Sequence, residues 1–357
     1  MPPRLISAPR MLPFWAATLL PVPLLAGAAL WGGGWGVAAL AYLTLFAFAL
    51  DALIAGTGNA PEGVEFPAAE ALAVTLALLH LALLPLGVAA VAGATGLSGA
   101  ERVLAFLGFG LFFGQVSNSN AHELIHRGGR GLYRLGVAVY VSLLFGHHAS
   151  AHRLVHHRHV ATAADPNSAR AGEGFYRFAA RAWVGSFREG WRAETALRAR
   201  GPRGGVHPYA VYLGGAAAWM AAAALALGLP GLLALVALAG HAQMQLLLSD
   251  YVQHYGLSRR IVDGRAEPVG PAHSWDAPQP FSGWLMLHAP RHADHHLHPG
   301  RIYPALRLDG GATPMLPRSL PAMAALALAP PLWRRVMDRR LAKWRAKGER
   351  AGALTGL

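Results

Sequence analysis

Cysteine is absent from all 357 residues. That excludes disulfides, thiolate nucleophiles, iron–sulfur clusters and Cys-x-x-Cys iron centres; any electrons a redox reaction needs must come from another protein. Charge is scarce as well: Asp, Glu, Lys and Arg make up 14% of the chain against 54% hydrophobic residues, where a soluble domain carries about a quarter. Acidic residues are the scarcest, 18 against 31 Lys and Arg, leaving a formal net charge of +13. In place of the missing charge stand uncharged apolar runs that one soluble core has no room to absorb.

Six runs are long enough to cross the roughly 30 Å of bilayer hydrocarbon, near residues 13–32, 36–56, 70–95, 103–121, 209–228 and 231–250. They predict an all-α polytopic membrane protein, a single integral domain over 1–357 with six transmembrane helices. A further stretch, 131–147, opens on Leu132-Tyr133-Arg134 and ends on His147-His148, so it reads as an interfacial helix. Basic residues are retained on the cytoplasmic side of a span. With the N-terminus inside, 122–207 and 251–357 are cytoplasmic, and 30 of 31 basic residues (Arg4 and Arg10, thirteen Arg in 127–203, fifteen Lys or Arg in 259–350) share one side with them. Only Arg102 is left on the other. That placement puts both termini on the cytoplasmic side, of what is expected to be a bacterial inner (plasma) membrane, with the basic face suited to lipid headgroups and an acidic protein partner. No aromatic-interleaved basic patch points to nucleic acid. The N-terminal run lacks a small-residue cleavage site and reads as a retained first span.

Eighteen histidines are present, and half fall in four clusters on the predicted cytoplasmic side. His122 and His126 in HELIH are one helical turn apart. His152, His156 and His157 lie in HRLVHH, where i and i+4 share a face and i+5 reaches a neighbouring one. His254 ends the sixth span, and His292, His295 and His296 lie in RHADHHLHP. HELIH by itself fits H-E-x-x-H of a zinc protease, with Glu123 as base. Seven other clustered histidines would then have no role. One tetrahedral zinc takes three or four ligands, whereas nine imidazoles supply four or five to each of two metals, and sulfur-free ligation with open positions suits iron and O2.

HELIH, HRLVHH, QHYGL and RHADHHLHP, in this order and with these spans between them, resemble the membrane-bound alkane 1-monooxygenase family within the wider integral-membrane desaturase and hydroxylase superfamily. So do VATAADPNSARAGEGFYRF at 160–178, HSW at 273–275, RIYPALR at 301–307, and DALIAG with NAPE at 51–62. The resemblance implies six transmembrane helices around a substrate channel, capped by a cytoplasmic di-iron centre. Its ligands, carried over residue by residue, are His122, His126, His152, His156, His157, His254, His292, His295 and His296. It implies two non-haem irons, O2, electrons from a rubredoxin or ferredoxin-type donor, and insertion of one oxygen atom at the terminal carbon of an n-alkane to give a primary alcohol. A hydroxylase of methyl-aromatic substrates and a fatty-acid or lipid desaturase are the alternatives. The resemblance also makes Glu123 a partner of a ligand histidine.

Where the family usually has Glu before the first histidine of the second box and before the HYGL histidine, this chain has Ala151 and Gln253. Restoring Glu at 151 is expected to preserve or raise activity. Asp165, Asp250 and Asp294 flank boxes and are candidate partners for ligand rings, as are His273 and His288. His80 and His241 fall within spans, where an ionisable group is costly; the commoner outcome is a neutral ring bonded to a neighbouring helix. Phe46, Phe48 and Trp219 are candidates for setting where a substrate chain stops.

Overall fold

A computed structural model of the chain describes residues 4–5, 11–54, 56, 58–61, 64–201 and 205–355; Arg10, Glu62 and Arg203 lie outside the described residues. Four helices among them are long and apolar enough to cross a membrane: Leu12–Trp31, Gly34–Leu53, Pro67–Ala92 and Pro208–His254. Pro13, Pro67 and Pro208 sit in first turns, where a missing N–H and a fixed φ cost nothing. The first two helices are joined through Gly32 and Gly33 at φ +63° and +57°, a conformation open to glycine without a Cβ penalty. Pro208–His254 has 47 residues but breaks at Gly228 (φ 64°, ψ −157°). A Cβ on Gly231 would come within 2.6 Å of the Ala223 carbonyl oxygen, so the chain folds back there into the two segments expected at 209–228 and 231–250.

The expected span at 103–121 lies within one helical course, Gly99–Phe112, a π turn at Phe113–Ser117, and Asn118–Ile125. It is not among the four most apolar helices, because its last third carries Gln115, Ser117, Asn118, Ser119 and Asn120, all buried. Two of these grip neighbours: the Asn118 amide donates to the Ala242 carbonyl (2.8 Å) and Asn120 to that of Ala73 (2.8 Å). The course begins on a Ser98–Glu101 capping box, and the other Glu101 oxygen accepts the Gly33 N–H at 2.7 Å. Both early hairpin turns therefore lie at one end of the bundle. At the opposite end Asp51 accepts the Ser282 N–H (2.9 Å), tying the second helix to the histidine-bearing cap.

The cap is built from Arg130–Ser142, the segment His148–His159, Phe175–Arg200, and the short helices Pro280–Leu285 and His292–Leu297, closed by Leu320–Ala327 and Pro330–Thr355. The stretch expected as an interfacial helix is Arg130–Ser142, which lies on Asn118–Ile125 with Gly136 pressed against Leu124. Tyr251, Tyr255, Trp275, Trp333 and Met337 fill the cap's own core. Trp333 is 0% exposed; truncating such a side chain costs about 3–5 kcal/mol. Two ribbons of two-residue strands are the strands among the described residues: Arg4–Leu5 parallel to Val64–Glu65, and Ile261–Val262 antiparallel to Arg265–Ala266. The second turns on Asp263-Gly264, both at positive φ, as a two-residue hairpin loop requires. Leu45, Leu53 and Leu225 stand outward, 74%, 80% and 88% exposed, on faces that water penalises and lipid accepts.

Candidate metal centre

All nine clustered histidines meet at one end of the bundle, in two adjoining groups. His122, His126, His152, His157 and His295 form one and His156, His254, His292 and His296 the other, with the nitrogens of each group within 4.8 Å of one another. The groups touch: the His157 and His296 ring centroids are 4.6 Å apart. His122 and His126 share a face of Asn118–Ile125 and its cap, as i, i+4 spacing requires.

The second box departs from that periodicity. Residues His152–His156 form a π turn, whose wider pitch brings i and i+5 into line. His152 and His157 therefore meet, Nε2 to Nε2 at 2.9 Å, and His156 turns into the other group. The α-helical expectation that His152 and His156 share a face gives way to this turn. The fourth box divides likewise, His292 and His296 on one side and His295 on the other.

The Nε2–Nε2 contacts test whether a metal fits. Nitrogens about 2.1 Å from one metal stand about 3.0 Å apart at right angles and about 3.4 Å apart in a tetrahedron. The contacts are His122–His152 2.8 Å, His152–His157 2.9 Å, His157–His295 3.0 Å, His254–His292 3.1 Å and His292–His296 3.0 Å. They match right angles. Hydrogen bonding alone serves them poorly, since a neutral imidazole has one N–H and one lone pair. His152, His157 and His292 each face two other Nε2 atoms, while the buried Nε2 atoms of His126 and His156 have no partner among the described residues. A cation placed in either group would satisfy its inward lone pairs.

Burial, and after it repulsion from neighbouring rings, holds His152, His157, His295 and His296 well below the usual imidazole range. These rings are neutral near pH 7, the form that ligates. His156 differs: burial pushes it down, but the Asp165 carboxylate 2.8 Å from Nδ1 outweighs burial and raises it. The Nδ1–H donated to Asp165 leaves Nε2 as a lone pair facing the group. His254 is oriented the same way, its Nδ1–H donated to the His273 carbonyl at 3.3 Å. Asp165 is fixed in turn by Ser168 Oγ (2.7 Å) and the Asn167 N–H (3.0 Å).

Several flanking expectations resolve differently. Glu123 pairs with Arg127 at 3.4 Å and bonds no ligand ring among the described residues. Asp250 accepts from the Asn167 amide (2.6 Å), and Asp294 binds Arg301 and His298; neither reaches a ligand imidazole. His273 acts through its carbonyl, and His288 bonds the Tyr303 carbonyl (3.0 Å). His80 bonds Ser142 Oγ at 2.9 Å, the neutral interhelical bond expected. The sequence reading passed over Ser168, although the Asx turn in Asp-Pro-Asn-Ser signals a carboxylate bonded to its own loop. It also passed over Asp276, whose buried carboxylate accepts the Ala293 N–H at 2.8 Å and so anchors the start of His292–Leu297; burial pushes that carboxyl up to about 8. No spacing in the sequence marks it.

A cavity of about 50 Å³ adjoins the rings, lined by His122, His152 and His292 with Ser119, Asp250 and Gln253. A larger one of about 220 Å³ lies beyond it, walled by Gln115, His241, Gln245, Leu248, Leu320 and Leu328. Gly114, Ser249 and Met286 line both, so the two cavities adjoin, and the pair forms a corridor of shared walls beside the histidines. Phe46 and Phe48 instead face outward, and Trp219 packs between helices; none of the three lines this corridor.

The profile of the fatty acid desaturase family matches residues 98–326. Alkane 1-monooxygenase 1 of Pseudomonas aeruginosa is 33% identical over 277 residues, 73% of this chain and 71% of that protein. Alkane 1-monooxygenase 2 of the same organism is 32% identical over 65% of this chain, and alkane 1-monooxygenase of Pseudomonas putida 32% identical over 71%. The chain spans 62% and 63% of the length of these last two.

Proposed function

Because the chain belongs to the fatty acid desaturase family, we propose that it is an O2-dependent hydroxylase acting at the terminal carbon of an n-alkane. The observation that carries this reading is the pair of adjoining imidazole groups, five and four rings, at the end of an intramembrane corridor. His122, His126, His152, His157 and His295 hold one iron and His156, His254, His292 and His296 the other. Bound there, the two irons supply the O2 reduction and C–H oxidation that no side chain of the corridor can perform. One oxygen atom enters the C–H bond and the other leaves as water, with two electrons and two protons consumed. A chain without cysteine takes those electrons from a separate rubredoxin or ferredoxin-type donor. In the membrane the protein makes six spans, in a bacterial inner membrane, with the histidines and the basic surface on the cytoplasmic side where an acidic donor docks.

The chain's own residues prepare the site. Asp165 and the His273 carbonyl fix two tautomers so that lone pairs face inward. Apart from His156, whose charged form Asp165 favours, the buried, uncharged rings bind metal without first shedding protons. The narrow inner cavity, bounded by Gly114, Met286 and Ala289, admits one end of an alkyl chain and excludes bulk water. Supplying an n-alkane, 18O2 and a reconstituted electron donor to the purified protein tests the reading. A labelled primary alcohol is expected, with about two irons per chain and loss of turnover in His156→Ala and His295→Ala. Unlabelled unsaturated product would mark a desaturase instead, and turnover in either variant would break the ligand assignment.

A further inference from the structure

The corridor is more polar than a plain hydrocarbon needs. His241, Gln245, Ser249 and Gln253 recur every four residues on one face of Pro208–His254, a helix whose most apolar window has a mean hydropathy of 2.3. Such a stripe advances about 6 Å per step and runs along both cavities to the residue preceding His254. Its inner half is internally satisfied: Ser249 Oγ donates to Gln253 Oε1 (2.9 Å), and Gln253 Nε2 to the Ala289 carbonyl (3.0 Å).

Its outer half is not. Gln245 Nε2 is bonded to the Gly110 carbonyl at 2.7 Å, which leaves its Oε1 over. Gln115, 7% exposed, has no hydrogen-bond partner for its carboxamide among the described residues, and its Oε1 is fully buried. His241 touches Phe106, ring centroids 5.2 Å apart, with no hydrogen bond to either ring nitrogen among those residues. All three line the 220 Å³ cavity, whose other walls include Leu111, Leu248, Leu320 and Leu328 and no Lys, Arg, Asp or Glu. Amide and imidazole groups in apolar surroundings are costly unless something bonds them. An uncharged occupant that accepts from these groups, or both accepts and donates, meets that need.

We propose that, among the alkyl chains this centre oxidises, it prefers those carrying one uncharged oxygen function, a hydroxyl or a carbonyl, seated by Gln115, His241 and Gln245 while the far end of the chain enters the inner cavity. The proposal rests on the hydroxylase reading and narrows its substrate class. Gln245 precedes Gln253 by eight residues, so the oxygen sits about 12 Å along the helix from Gln253, the neighbour of His254. A carboxylate is disfavoured, because no cation lines the cavity.

The test uses the full chain in detergent with iron and an electron donor, and four twelve-carbon probes: dodecane, dodecan-2-ol, dodecan-2-one and dodecanoic acid. Each is scored by its shift of the thermal unfolding midpoint and by kcat/KM under 18O2. The alcohol or the ketone should exceed dodecane by about tenfold in kcat/KM and shift the midpoint further, with the acid weakest; which of the two leads tells whether the seat chiefly accepts or donates. Gln115→Leu should collapse that ratio towards one, and His241→Phe serves the same purpose if that variant does not fold. A wild-type ratio of one or less, or a ratio that survives both substitutions, overturns the seat. Labelled dodecanol without preference would sink the seat and leave the hydroxylase standing; selective midpoint shifts without label in any product would do the reverse.

Discussion

Asp165→Asn is the most informative single change, because three donors converge on one carboxylate. Oδ2 accepts from His156 Nδ1 (2.8 Å) and Ser168 Oγ (2.7 Å), and Oδ1 from the Asn167 N–H (3.0 Å). An amide offers a single acceptor oxygen. Turned one way, its NH2 opposes the Asn167 N–H; turned the other, it opposes His156 Nδ1–H and drives the ring proton to Nε2, the atom that faces the metal group. Asp165 is 2% exposed, so no water relieves the conflict, and a buried donor left unpaired costs about 1–3 kcal/mol. Loss of a group that orients a ligand imidazole weakens metal binding about 10–100-fold, or about 1.4–2.8 kcal/mol. The expected result is a chain that still folds in detergent but, titrated with limiting ferrous iron, fills the five-histidine group normally and the four-histidine group 10–100-fold more weakly, with turnover lost in parallel. Two irons bound at wild-type affinity would refute the argument that Asp165 sets the His156 tautomer.

Three further outcomes follow from particular contacts. A Cβ at position 114 would lie 2.2 Å from the Gln245 amide, at the junction of the two cavities, so Gly114→Val should lower kcat/KM at least about tenfold with iron content unchanged. Ala151 is 3% exposed and sits where a Cβ on Gly190 would meet it at 3.1 Å. Ala151→Glu should therefore lower the unfolding midpoint rather than raise activity, the reverse of what the family pattern leads one to expect. In metal-free protein the Asp165–His156 pair should stabilise most between the two ordinary pKa values, 3.8 and 6.5. Asp165, shifted down, stabilises above 3.8 and loses that as pH falls through its folded pKa; His156, shifted up, stabilises fully below 6.5 and loses that as pH rises through its own. The difference in unfolding midpoint between wild type and Asp165→Asn across pH should peak inside that window.

Much of the architecture was open to reading because hydrophobic length has few other meanings. The helices at Leu12–Trp31, Gly34–Leu53 and Pro67–Ala92 match the expected runs to within a few residues, and the break at Gly228 lies at the Gly-Leu-Pro-Gly turn. Which histidines gather was also legible, since four clusters near the ends of apolar runs leave them few places to go. The lining of the corridor was not. Phe46 and Phe48 look like channel stops because bulk is visible in a sequence, but the direction of a side chain depends on the rotation of its helix, which packing sets. Asp276 was invisible for a similar reason: it lies sixteen residues before His292 and reaches the start of that helix through tertiary folding.

How the histidines divide between the two groups was not legible, for a more specific reason. At 3.6 residues per turn the box spacing puts His152 and His156 on one face and His157 on a neighbouring one. The π turn at His152–His156 inserts the extra backbone that aligns His152 with His157 and points His156 across the boundary between groups. One segment thus serves both groups, and so does His292–Leu297, which sends His295 one way and His292 and His296 the other. A second π turn, Phe113–Ser117, places Gly114 where the two cavities join. These two π turns therefore sit where the chain serves two sites at once, whereas a third, Tyr42–Phe46, lies on the second membrane helix away from both; at His152–His156 an unbroken α-helix would not align His152 with His157. π turns inside otherwise regular helices recur at functional positions; here the geometry supplies the cause, because two adjacent groups of ligands need side chains at both four- and five-residue intervals on a single stretch.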